Sequence, residues 1–164
     1  MRMKSNSFSP AASATLAFLL WAAPPSSFAQ GSGVLTVTAP PRTLVARGET
    51  VAVKAAVRLS PGYHVNSNAP NDEYLIPLRL AWNAAPLEVL DVAYPKPRHE
   101  NYSFSQKPVS VFSGEFEIVT RFKAPAAAPP GPAVLTGKLR YQACTESSCL
   151  PPKTVEVRLP VHVR

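Results

Sequence analysis

The sequence predicts an all-β fold, a sandwich of about seven or eight antiparallel strands, and three observations predict it. Apolar and polar residues alternate with period two along most of the chain, and beyond the first thirty residues no stretch shows a convincing 3.6-residue period. Nineteen prolines in 164 residues argue against a helix bundle, because a proline inside a helix costs about 3 kcal/mol. Clusters containing proline, glycine and asparagine fall between the alternating runs, where turns belong. At 17.6 kDa the chain has room for one domain.

The first element is not part of that domain. Arg2 and Lys4 make a short basic start, Ala14 to Ala23 is an apolar run of ten, Pro24-Pro25 break it, and Ser27-Phe28-Ala29 places small residues before a cut. This is the layout of a secretory signal peptide over residues 1–29, cleaved after Ala29, leaving a single domain over 30–164. Ten apolar residues are too few to span a bilayer, which takes about 20. No further apolar run of spanning length follows, so an exported protein, soluble after cleavage and without stable membrane insertion, is expected. A monomer is expected as well.

The strands follow in order. They are expected at 34–39, 49–59, 75–82, 87–94, 109–123 (bent near Ser113-Gly114), 133–143 and 153–163. In the second, Val51, Val53, Val57 and Leu59 share a face, with Lys54 and Arg58 on the other. Leu78, Leu80 and Trp82 alternate with Arg79 and Ala81, and Phe116, Ile118 and Phe122 with Glu117 and Arg121. Leu135, Leu139, Tyr141 and Ala143 alternate with Thr136, Lys138 and Arg140, and the last strand runs Val155, Val157, Leu159, Val161, Val163 against Glu156, Arg158 and His162. One apolar and one polar face is the mark of half-buried antiparallel strands, and their spacing suggests two packed sheets, immunoglobulin-like in the broad sense. The Ala/Pro-rich stretch 124–132 could pass for a linker, but the 32 or so residues after it are too few for a second β core, so it reads as a loop.

The charge excludes little. Lys and Arg number 17 against 10 acidic residues, a net +7 that falls to +5 once Arg2 and Lys4 leave with the leader. The basic residues are scattered, with no Lys/Arg-rich run or nucleic-acid motif, so the charge reads as solvation and no nucleic-acid partner is expected. No Gly-x-Ser-x-Gly elbow and no phosphate-cradling glycine loop is present.

The remaining chemistry lies in two cysteines. Tyr141-Gln142-Ala143-Cys144 and Cys149-Leu150-Pro151-Pro152 flank Thr145, Glu146, Ser147 and Ser148 between the last two strands, on a hairpin connection at one end of the sandwich. Export puts the pair where disulfides persist. As a staple it is weak: closing a loop of about six residues stabilises by roughly 2 kcal/mol, against about 4 for a bridge across sheets. A domain of about 135 residues buries close to 68% of its unfolded surface unaided. Thiol–disulfide exchange needs an accessible sulfur and a resolving partner within reach, which two cysteines in one exposed loop provide. From the residues alone, a redox pair and a permanent clasp in a non-catalytic protein-binding module both stand. Glu146 beside Cys144 raises rather than lowers a thiol pKa, which suits a conduit timed by its partners. A metal site built on Cys and His is a third reading, but His64, His99 and His162 stand at no ligand spacing from the cysteines, so no metal and no cofactor is expected.

The Tyr-Gln-Ala-Cys…Cys-Leu-Pro-Pro element resembles the N-terminal periplasmic domain of the thiol:disulfide interchange protein DsbD. Pro61-Gly62-Tyr63-His64-Val65-Asn66 with Leu75-Ile76-Pro77, and Tyr94-Pro95-Lys96-Pro97, fit in the same order, and the resemblance covers roughly residues 34–163. It implies an immunoglobulin-like sandwich in the periplasm that takes electrons from a membrane-embedded donor and passes them to thioredoxin-fold proteins. It further implies that Cys149 exchanges with the partner sulfur and Cys144 resolves. A cap loop carries an aromatic shield, which maps to Tyr102 or Phe104 in the segment 97–105, with Glu100 and Tyr63 as further cap and partner-binding residues. Two departures stand out: the loop between the cysteines is one residue shorter than in the best-known member, and the acidic residues of the cap are thinned to Glu100. A chain ending at Arg164 carries neither membrane segment nor thioredoxin-like domain, so the electron source is expected in trans.

Overall fold

The computed structural model describes residues 29–31 and 33–164. Residues 1–28 of the expected leader lie outside the described residues. Thirteen strands follow one another among the described residues: β1 (Ala29–Gly31), β2 (Leu35–Thr38), β3 (Thr43–Val45), β4 (Thr50–Leu59), β5 (His64–Asn66), β6 (Arg79–Asn83) and β7 (Glu88–Ala93) come first. Then come β8 (Arg98–Glu100), β9 (Val109–Ser113), β10 (Glu115–Lys123), β11 (Gly131–Tyr141), β12 (Ala143–Cys144) and β13 (Lys153–Val163).

Two large sheets form the sandwich. One has the order β1-β2-β4-β10-β7, the other β3-β13-β11-β6, and every pairing is antiparallel except β3 on β13. The alternation read from the sequence fixes which side chains meet between them. Val53, Ala55 and Val57 of β4 and Ile118 and Phe122 of β10 are buried, and so are Leu135 and Leu139 of β11 and Val155, Val157 and Leu159 of β13. The outward face of the β4–β10 pair carries Lys54–Glu117 at 2.8 Å and Arg58–Glu115 at 2.9 Å. These pairs are largely exposed, so they mainly solvate that face.

Trp82 of β6 spans the core. Its ring meets Phe122 edge-on at 5.3 Å and its Nε1 donates to the buried Thr120 Oγ1 at 3.0 Å, which satisfies the one polar atom such a ring brings inside. Gly137, in the middle of β11, is the residue opposite Trp82, and a Cβ there would stand 3.0 Å from the indole. The glycine weakens a strand in order to seat the ring.

A third sheet, β12-β5-β9-β8, stands apart from the two large ones and was not expected. The expected strand 109–123 is cut at Gly114, whose φ of +67° only glycine adopts freely, and its halves β9 and β10 go to different sheets. The expected strand 75–82 begins only at Arg79. β5 left no period-two signal because all three of its residues are buried, and β3, β8 and β12 are too short to show one. Residues 124–130 form the loop from β10 to β11, with Ala124 and Ala128 buried, whereas Gly131 and Pro132, expected in the loop, already pair with β13 as the start of β11.

Candidate redox site

The site is assembled on the small sheet. At Gln142 the chain leaves β11 and crosses to β12, and the Gln142 side chain holds the crossing. Its Oε1 accepts from Asn66 Nδ2 at 3.3 Å and from the Ile76 amide at 3.4 Å, while its Nε2 donates to the Leu150 carbonyl at 3.3 Å. One amide thus ties both ends of the cysteine loop to the segment 66–76.

Cys144 and Cys149 are joined in a disulfide, facing each other as an antiparallel bridge with Cα atoms 3.9 Å apart. The four residues between them fold into a tight turn: the Thr145 amide donates to the Ser148 carbonyl at 2.8 Å and the Ser148 amide to Thr145 Oγ1 at 3.3 Å. The Leu150 amide donates to the Ala143 carbonyl at 2.8 Å and closes the hairpin. The two cysteines are unequal, Cys144 being wholly buried and Cys149 exposed.

The segment after β8 runs beside this hairpin. Tyr102 and Phe104 stack on each other at 5.3 Å, and Tyr102 stacks on His64 at 4.0 Å, giving a row of three near-parallel rings. Behind the row lie Leu75, Val109 and Val111, a small apolar cluster separate from the main core. Tyr102 Oη donates to Glu100 Oε2 at 2.6 Å, and Ser103 Oγ donates to the Glu146 carbonyl at 3.1 Å, which joins the aromatic loop directly to the cysteine loop. Burial first, then the hydrogen bond to the Glu100 carboxylate and the charges of Glu100 and Glu146, push the Tyr102 phenol well above its usual range, so it stays a proton donor. Burial holds His64 below the usual imidazole value, with Glu100 pulling the other way.

Tyr63, Glu100 and Tyr102 line one cleft of about 470 Å³ together with His64, Thr145, Glu146 and Ser147. Phe104 lies on the far side of Tyr102 and lines a neighbouring cleft with Asp72 and Tyr74. The six residues singled out from sequence thus fall around one end of the molecule, carried by β12, β8, the residue before β5, and two loops.

Two residues with a part in the site went unread in the sequence. His64, weighed in the sequence as a metal ligand, opens β5 as a buried residue and is the register partner of Cys144 in the β5–β12 pair. Gln142 figured only as motif spelling, whereas its amide fastens the loop. His99 and His162 are not drawn to the site: one is exposed on β8, the other lies on β13. Among the described residues no three or more His, Cys, Asp or Glu side chains are grouped to hold a metal ion. No helix of the described residues is long and apolar enough to cross a membrane.

Residues 35–160 match the family described as thiol:disulfide interchange protein DsbD, N-terminal. Among solved structures, the N-terminal periplasmic domain of ScsB from Proteus mirabilis is similar at a TM-score of 0.56 and 17% identity, over 78% of this chain and 47% of that one. The chain therefore spans about half the length of that relative. The N-terminal domain of DsbD from Neisseria meningitidis, in the reduced form, aligns at a TM-score of 0.45 and 20% identity, over 65% of this chain and 74% of that one. No curated protein matches the sequence.

Proposed function

The chain belongs to the family of DsbD N-terminal domains, and from that premise we propose that it passes reducing equivalents to or from thioredoxin-fold proteins through the Cys144–Cys149 pair, in the periplasm or another exported compartment. The observation that carries the reading is the inequality of the pair. Cys149 is exposed and Cys144 is buried in the same tight turn, so a partner thiolate meets Cys149 first and leaves Cys144 to resolve. Attack on Cys149 Sγ forms a mixed disulfide and releases Cys144 as a thiolate. In the opposite direction, Cys144 attacks Cys149 Sγ and expels the partner. Tyr102 and Phe104 form the shielding loop, and Tyr63 and Glu100 present the surface that a partner reads.

The test is covalent trapping. Cys144→Ala leaves Cys149 without its resolving partner, and the exported fraction should then contain mixed disulfides to thioredoxin-fold proteins that a reductant releases. The same variant capturing nothing, while Cys149 remains reactive to a small alkylating agent, overturns the exchange reading and leaves a binding module with a permanent clasp.

A further inference from the structure

His64 has no role in the reading above, which the following inference deepens and on which it rests. The residue is 4% exposed, and its strand runs between β12 and β9, where it faces Cys144 on one side and Ser113 on the other. Residues directly opposed in an antiparallel pair project from the same face with Cβ atoms about 5 Å apart. The imidazole and the Cys144 side chain therefore share one side of the small sheet. His64 Nε2 is buried and has no hydrogen-bond partner among the described residues. A buried imidazole nitrogen left unpaired is uncommon enough to need a reason.

The charged and titratable groups around it come from each neighbouring element: Glu100 from β8, Tyr102 from the aromatic loop, Glu146 from the cysteine loop, and Cys144 itself; β9 contributes only the Ser113 hydroxyl. Tyr102 is already committed to Glu100 through its hydroxyl. Glu146 has its carboxylate on an exposed residue of the turn. None of these occupies the orphaned nitrogen, and a reduced Cys144 is the one group nearby whose bonding changes during exchange.

We propose that His64 is the acid–base partner of Cys144, taking the proton from its thiol when Cys144 resolves a mixed disulfide and returning it when the disulfide is opened. In resolution, neutral His64 accepts the Cys144 proton and the thiolate forms beside an imidazolium. The thiolate then attacks Cys149 Sγ, the Cys149–partner sulfur bond breaks, and the electron pair leaves with the partner thiolate. In opening, the incoming thiolate forms its bond to Cys149 Sγ, the electron pair of the broken bond stays on Cys144, and His64 imidazolium protonates it. Both directions balance with no group beyond the two thiols and one imidazole. Burial of the imidazole keeps it neutral at the start of resolution, the form that accepts. Burial alone raises a thiol pKa, so an adjacent base has most to contribute at the buried cysteine.

Ellman's reagent separates the steps. Reduced protein reacts first through Cys149, a second-order phase, and then Cys144 expels the second chromophore, a first-order phase. His64→Gln should slow the first-order phase on the order of 10²-fold at neutral pH and remove its acid-side inflection. A variant that only loosens the ring stack speeds the second-order phase and leaves the first-order rate and pH profile unchanged, which overturns the proposal. The wild-type protein gives an independent reading. His64 should titrate at lower pH in reduced than in oxidised protein by nuclear magnetic resonance, because a Cys144 thiol donating to the otherwise unpaired Nε2 favours the neutral imidazole, and identical titrations in the two states overturn the proposal. A Cys144→Ala variant that captures no thioredoxin-fold partner, beside a wild-type protein that still shows the biphasic reaction, counts against the exchange function and not against His64.

Discussion

At the scale of single residues, the two cysteines differ in burial, and a row of rings stacks on His64, the strand partner of the buried one. Tyr102 is held on both sides, by His64 and Phe104, and by its hydroxyl on Glu100. Removing the ring should open the loop without unfolding the sandwich, since its apolar neighbours belong to the small cluster and not the main core. Tyr102→Ala is therefore expected to speed reduction of the disulfide by a small thiol several-fold while leaving the unfolding midpoint within about 1 kcal/mol of wild type, as kinetic reduction and urea titration will show. Tyr102 and Glu100 were legible only through the family resemblance, because nothing in composition or periodicity marks a loop ring as a stacking partner. His64 was not legible at all in this role. It is separated from Cys144 by 80 residues, and only strand pairing brings the two together.

At the scale of elements, the long strands were readable and the short ones were not. The last strand was expected at 153–163 and found at Lys153–Val163, since eleven residues of alternation leave little choice. Alternation carries no register across a turn, so it could not show that Gly114 sends the two halves of 109–123 to different sheets. A bend was readable there, its consequence was not. Gly137 is the reverse case, a residue that breaks local strand preference because a distant ring lies over it. Gly137→Ala gains strand propensity but presses its Cβ against Trp82 and Leu80, and the net effect should be destabilising by about 1–3 kcal/mol, read from the shift in urea midpoint at constant slope.

At the scale of the whole molecule, the cysteine pair adds little to stability. The sandwich closes around its own continuous core, and the loop that the disulfide closes has a sequence separation of 5. Replacing both cysteines by alanine should cost about 2 kcal/mol and leave a cooperative unfolding transition, measured by circular dichroism against temperature or urea. A loss of folding altogether would mean that the pair is a structural clasp.

The small sheet draws its four strands from 143–144, 64–66, 109–113 and 98–100, stretches scattered over some 80 residues. No excised peptide could reproduce it. An unfolded chain still carries two cysteines five positions apart, yet it buries neither of them and stacks no row of rings on His64. The inequality of the pair is therefore a certificate of maturity: only a finished molecule leaves Cys149 exposed while it buries Cys144.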